Sequence, residues 1–174
     1  MNLADLRLDD DLAAIARGEK AALERLYRAT RDAVFGFALS ILKNPHDAED
    51  VLQDTYVTLW RAAGTYESRG KPMAWILTIT RSLCLQRLRQ QQRQADLPPE
   101  EWEPWLQAKE SLAAEDAIVL RECLALLGDR ERQIVVLHAV AGLKHREIAA
   151  LLDIPLSTAL SHYHRGLKKL RKHL

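Results

Sequence analysis

Apolar residues recur at steps of three and four through most of this chain, and that period constrains its fold more than any other feature. Leu23, Leu26, Tyr27, Val34, Phe37, Ala38 and Ile41 trace one stripe, which predicts a long helix from about Ala21 to Leu42. Asn44-Pro45 ends it. Asp47, three residues before Asp50, forms an acidic relative of a capping box. Val51, Leu52, Thr55, Tyr56, Leu59 and Trp60 then make the buried face of a second helix, stopped at Gly64. Beyond a polar loop, Thr65 to Lys71, Pro72 occupies a first helical position. Met73, Ile76, Leu77, Thr80, Leu83, Cys84 and Leu88 carry the next stripe, which fades into the polar run Arg89 to Gln94.

The composition agrees with the period. Ala, Leu, Arg, Glu and Gln dominate a chain of 174 residues that holds only seven Gly and six Pro, so the expected fold class is all-α. The punctuation divides it into two small helical domains, residues 1–94 and 116–174, joined by an acidic linker over 95–115. Pro98, Pro99 and Pro104 break helices in that linker. Trp102 and Trp105 predict that it docks onto something, because exposed indoles are costly in a purely solvated segment. In the second domain, Asp116 to Leu127 is one helix, closed by Gly128. Asp129 caps the next, which runs to Ala141 and stops at Gly142. His145 to Leu152 is short, Asp153-Ile154-Pro155 turns the chain, and Ser157 caps a final helix to the C-terminus. Short helix, tight turn and longer basic helix together make the helix-turn-helix pattern.

Charge is segregated along the chain, and the net value of +1 hides it. Between Gln94 and Asp116 a single base, Lys109, stands among Asp96, Glu100, Glu101, Glu103, Glu110, Glu115 and Asp116. Arg165, Lys168, Lys169, Arg171 and Lys172 close the chain with no acid after Asp153. In the final helix, Leu156, Leu160, Tyr163, Leu167, Leu170 and Leu174 alternate steps of four and three and should pack inward. The opposite side carries Thr158, Ser161, Arg165, Lys168 and Lys172, flanked by Ser157, His162 and His164. A run of charge is usually a solvated face. The preceding short helix and turn favour duplex DNA instead, the first residues meeting base edges and the later ones phosphate.

Other classes find little support. There is no Gly-rich phosphate loop, His-Glu-x-x-His, paired Cys-x-x-Cys or nucleophile elbow, so no enzyme, catalytic residue or cofactor is expected. His162 and His164 lie two apart on a helix and diverge, which argues against a metal. Cys84 and Cys123 sit in apolar helical patterns and read as reduced core residues. The acidic N-terminus lacks an apolar signal core, and no apolar run approaches the roughly 20 residues of a membrane span. A cytoplasmic protein without membrane insertion is expected.

Longer motifs sharpen the reading. The run Asp47-Ala-Glu-Asp-Val-Leu-Gln-Asp-Thr-Tyr56 strongly resembles the segment of extracytoplasmic-function sigma factors that docks on the polymerase clamp helices. Tyr66 to Arg81 is similar to the same family's next segment, which opens and reads the minus-ten element. Gly142 to Ala149 and Pro155 to Arg165 look like its reader of the minus-thirty-five element. The resemblance implies a non-enzymatic subunit that binds core RNA polymerase and promoter DNA, regulated by an anti-sigma factor. Carried onto this chain, it assigns polymerase docking to Asp47, Asp50, Gln53 and Asp54. It assigns the downstream element to Tyr66, Ser68, Arg69, Lys71, Trp75 and Arg81, and the upstream element to Ser157, Thr158, Ser161, His162, Arg165, Lys168 and Lys172.

The residue chemistry fits those roles. Asp47, Asp50 and Asp54 make an acidic flank for a basic partner helix, and a small polar loop suits capture of an unstacked base. Arg81, Arg87, Arg89 and Arg93 can follow phosphates or simply keep their helix soluble. The chain departs from the family at Leu160 and His162, where bases are common, at Lys144 in place of a hydroxyl cap, and at Asp153 in place of Gly. Leu160 either packs or touches a thymine methyl. The rival reading is a helix-turn-helix regulator with an N-terminal helical sensing domain, against which the acidic motif and the loop before Trp75 both speak.

Overall fold

A computed structural model of the chain describes residues 3–93 and 124–173. Trp102, Trp105, Cys123, Leu174, the linker and most of the helix expected from Asp116 lie outside the described residues. Among these there are seven α-helices and no strand: α1 Leu3–Ala16, α2 Lys20–Leu42, α3 Pro45–Ala62, α4 Pro72–Arg93, α5 Asp129–Ala139, α6 His145–Leu152 and α7 Leu156–Arg171.

Helix α1 is absent from the expectation, because Asp5, Asp9, Asp10 and Asp11 interrupt its apolar stripe. Leu12, Ala14 and Ile15 nevertheless bury fully against the rest of the bundle. Several helix ends also differ from the sequence reading. Asn44, not Asp47, caps α3, its side chain accepting from the backbone N–H groups of His46 and Asp47, with Pro45 in the first turn. That helix ends at Ala62, and Gly64 lies within a 3-10 turn, Ala63–Thr65, rather than at a left-handed stop. Gly128 precedes α5 and Asp129 is its first residue. Glu131 reaches back to the Gly128 N–H at 3.1 Å. Helix α5 ends two residues short of Ala141. Lys144 precedes α6 with no side-chain cap, and Glu147 accepts from its N–H at 2.8 Å, which explains how the helix starts without a hydroxyl. Helix α7 follows Pro155, so Ser157 is inside it and caps nothing. Asp153 does adopt the expected left-handed conformation, at φ 54°.

Helices α1 to α4 form the first bundle. Phe37, Leu26, Leu52, Leu59, Ile76 and Leu77 are fully buried in it, each worth about 1.5–3 kcal/mol relative to an exposed side chain. Its polar positions are paired. The Tyr56 hydroxyl meets Thr30 Oγ1 at 2.7 Å, and its ring packs edge-on to Tyr27. Burial pushes the Tyr56 phenol well above its usual pKa. Helices α5 to α7 form the second domain, which packs onto the first: Ile134, Leu137, Leu143, Ile148 and Leu152 belong to the same contiguous apolar cluster as Val34 and Phe37. Lys43 at the end of α2 pairs with Asp129 at 2.8 Å across this junction.

The inward seam of α7 is not the leucine row. Leu156 is exposed, while Ala159 and Gly166 are the buried positions, with Tyr163 between them half-buried. Small residues let α7 approach α5 closely. A methyl added at Gly166 would stand 3.2 Å from Val135 Cγ2. Leu160, Leu167 and Leu170 flank that seam half-buried. Gly166→Val should therefore push the two helices apart and destabilise the second domain by about 1–3 kcal/mol. A denaturant titration followed by circular dichroism checks this, and an unchanged midpoint would contradict the packing.

Candidate nucleic-acid interface

The loop between α3 and α4 brings together most of the residues assigned to the downstream element. The 3-10 turn delivers Tyr66, whose ring lies 4.9 Å from Trp75, tilted by 52°. Trp75 sits in the first turn of α4, its N–H donating to the Lys71 carbonyl at 3.2 Å. Both aromatics border a cleft of about 440 Å³, lined also by Arg69 and Lys71. Its far wall is α6 of the second domain, through Glu147, Ala150 and Leu151. Lys71 is exposed, and Arg69 pairs only with its neighbour Glu67 at the surface. Arg81 lies further along α4, half-buried and away from the cleft. The hydroxyls of Tyr66 and Ser68 do not face the cleft as free donors: both are bonded to Asp9 of α1.

The second surface lies on α7, where Ser157, Thr158, Ser161, His164 and Arg165 share one open depression. Lys168 and Lys172 are exposed further along, and Lys172 is the residue that ends the helix. The surroundings of His162 disfavour its cationic form on this face. Its Nδ1 accepts from Arg165 at 3.0 Å, and burial together with the Arg165 charge holds its pKa below the usual 6.5. Lys169 turns inward instead, donating to the buried Glu131 at 2.6 Å. Burial alone would raise the Glu131 pKa; the bonds from Lys169 and Gly128 outweigh it and lower the value.

On α3 the acidic flank is only partly open. Asp47 is 13% exposed and accepts from Arg87 at 2.6 Å and from Gln91, whereas Asp50, 56% exposed, takes a second Arg87 bond at 2.9 Å. Asp47 is therefore an internal anchor of α3 to α4 rather than a free docking group. Arg87, held charged chiefly by Asp47, is no free phosphate tracker. Gln53 and Asp54 are exposed beside Val57, itself 50% exposed.

Comparison with known proteins fits this layout. The family profile of sigma-70 region 2 matches residues 26–94, and that of sigma-70 region 4 matches residues 117–170. The chain is 31% identical to the extracytoplasmic-function sigma factor SigK of Mycobacterium ulcerans over 93% of its own length and 92% of that protein. It belongs to the extracytoplasmic-function sigma factors. A SigK from Mycobacterium sp. strain KMS is 28% identical over 94% of the chain and 89% of that protein. Two solved structures share the fold. One is RpoE of Bartonella quintana, crystallised with the anti-sigma factor NepR, at 21% identity, TM-score 0.69, and coverage of 86% of this chain and 94% of that one. The other is CnrH, solved with the cytosolic domain of CnrY, at 22% identity, TM-score 0.66, and coverage of 95% and 96%. The protein is thus an alternative sigma factor, which binds core RNA polymerase, recognises minus-ten and minus-thirty-five promoter elements and initiates transcription.

The sigma factor holds groups that sequence reasoning passed over. Asp9 behind the loop and Gln91 behind the acidic flank could have been found only from tertiary contact, being 57 and 44 residues from their partners. Among the described residues no group of three or more His, Cys, Asp or Glu is placed to hold a metal ion, and no helix is long and apolar enough to cross a membrane. The histidines instead form an aromatic stack. His138 and His145 lie 4.5 Å apart, centroid to centroid, each edge-on to Tyr163. His138 Nδ1 donates to the Leu143 carbonyl at 2.9 Å, while the buried Nε2 of His145 has no hydrogen-bond partner. Burial first, then the neighbouring His138 and His164, hold the His145 pKa below 6.5. The folded protein therefore prefers the neutral ring, and the unfolded chain takes up its proton first as pH falls. Stability from this site is complete above about pH 6.5 and declines below it toward the folded pKa. Urea midpoints should fall between about pH 7 and about pH 5, and His145→Phe should flatten part of that slope. An equal slope in wild type and variant would remove His145 from the account.

Proposed function

We propose that the loop Thr65–Lys71 and Trp75 capture an unstacked base of the minus-ten element, while the polar face of α7 reads the minus-thirty-five element in the major groove. The observation that carries this is the Tyr66–Trp75 pair at the mouth of the cleft, with Arg69 and Lys71 beside it. Aromatic faces stack on any base, and cations placed around them hold the backbone. On α7, Ser157, Thr158, Ser161 and Arg165 meet base edges, His162 orients Arg165, and Lys168 and Lys172 meet phosphate. Asp50, Gln53 and Asp54, with Val57, dock the polymerase. Residues 1–94 and 116–174 act as separate domains joined by the linker 95–115. An anti-sigma factor regulates the protein, the partner type named for a related fold. The protein works in the cytoplasm, where polymerase and promoters are found, and has no catalytic site of its own.

The packed arrangement is an off-promoter state. The two elements are about 25 base pairs apart, or roughly 85 Å at about 3.4 Å per pair. A compact chain of this length is only about 40 Å across. Both readers cannot reach their elements while α5 and α6 rest on α2 and α4. The linker 95–115 is long enough to span roughly 70 Å if extended, which together with the width of the two domains lets them part without unfolding.

Two measurements test this reading. In a Cys123→Ser background, Lys43→Cys and Asp129→Cys joined by a short bis-maleimide should abolish run-off transcription by holoenzyme, and activity should persist in the unlinked protein. Cys84 does not interfere, because burial pushes its thiol up to about 12. Full activity of the linked protein would refute the opening. Separately, Arg165→Ala should cost about 1–3 kcal/mol on the cognate upstream element only, whereas Lys172→Ala should weaken all templates alike and lower the salt slope by about one unit. Equal losses on cognate and scrambled templates for both variants would overturn the assignment of the α7 face.

A further inference from the structure

We propose that Asp9 is a positioning residue for minus-ten readout, acting through Tyr66 and Ser68; this rests on the reading above that their loop captures a base. Asp9 lies on α1, before the segment matched by the region 2 profile, and is 8% exposed. Each of its carboxylate oxygens has a hydroxyl donor from the loop: the Tyr66 phenol donates to Oδ1, and Ser68 Oγ donates to Oδ2 at 2.9 Å. A nearly buried carboxylate held by two neutral hydroxyls is a demanding arrangement. The two hydroxyl bonds offset the cost of taking its carboxylate oxygens out of water.

The consequence is geometric. With its hydroxyl turned back to Asp9, Tyr66 can offer DNA only its ring, and that ring is set against Trp75 at the mouth of the cleft. The Ser68 bond fixes the backbone on the far side of Glu67, so the loop is clamped on both sides of its first exposed turn. A stacking surface ordered in advance loses less freedom when a base arrives, and a surface of fixed shape distinguishes one base from another better than a mobile one. Tyr66 and Ser68 are thus not direct hydrogen-bond readers. They transmit the position of Asp9, and the Tyr66 ring, Trp75, Arg69 and Lys71 are left to touch the nucleic acid. The proximity of Asp9 agrees with this: after burial, its hydrogen bond and its charge push the Tyr66 phenol further above its usual pKa.

The test uses holoenzyme assembled from core polymerase and the full chain. Its templates are forked, with a minus-ten strand selected from a random library by the wild-type protein and a second version altered at one unstacked base. The readout is the ratio of half-saturating concentrations on the two templates. A merely structural role would move both concentrations together and leave the ratio unchanged. Asp9→Ala should reduce the ratio by roughly tenfold, because the loop loses both of its bonds to α1, while core affinity stays unchanged. Asp9→Asn, which keeps one acceptor oxygen, should recover part of it. Tyr66→Phe keeps the ring and loses the bond; it should lower the ratio on its own and add little to Asp9→Ala. If Asp9→Ala fails to fold by thermal melting, Tyr66→Phe and Asp9→Asn decide the matter. A wild-type ratio in both, with Trp75→Ala still lowering it, would overturn the positioning role. A wild-type ratio in Trp75→Ala and Lys71→Ala would instead overturn the reading of the loop itself.

Discussion

The C-terminal half of α2 is buried over more than one face. From Thr30 onward, Ala33, Val34, Phe37, Ala38, Leu39, Ser40 and Leu42 are all buried, a spread wider than one amphipathic stripe. Helices α1, α3 and α4 cover part of this cylinder, and α5 of the second domain covers another part, where Val136 comes within 3.5 Å of a methyl built at Gly36. The close approach of the domains follows from that spread. So does the position of α6 opposite the loop, because α6 is carried on α5 and meets α4 when α5 settles on α2.

On the proposed function, such a junction has to be separable for the protein to read two distant DNA elements. Its chemistry is suited to that. The apolar contacts are made by residues that each domain also needs for its own core, and the ion pair Lys43–Asp129 across it is half-exposed at both ends and contributes little. Opening therefore exposes moderate apolar area on α2 and α5 without stranding a buried charge. The stronger polar bonds lie within the domains: Arg87 with Asp47, Lys169 with Glu131, and Asp9 with the loop hydroxyls.

The two surfaces proposed to meet nucleic acid differ in how they are held. The face of α7 is rigid because its back is a seam of small residues against α5, so side chains on the front are placed by the helix itself. The loop before α4 has no such scaffold, and its order comes from a 3-10 turn, a ring contact and a carboxylate reaching over from α1. A loop can present an unstacked base with groups from several directions, which a helix face cannot do, and side-chain bonds to a neighbouring element give it definition.

Much of this was legible in the linear chain. Spacing of apolar residues determined α2, α3, α4, α6 and α7 to within a few residues, since a period of three to four is a property of local sequence. The Asp47–Tyr56 and Tyr66–Arg81 runs pointed to the family for the same reason: motifs are contiguous. Helix α1 was hidden by its acids, one of which proved to be a structural ligand of the loop. The row Leu156 to Leu174 predicts the core-facing side, although the seam runs through Ala159 and Gly166. Hydrophobicity marks what prefers to be buried, and close packing selects what is small enough to fit. The sequence by itself determined the helices after α1, the segregation of charge and the family. Only the tertiary structure decided which acids stay free, because Asp47 and Asp54 are alike in sequence and differ solely in whether α4 brings a guanidinium to them.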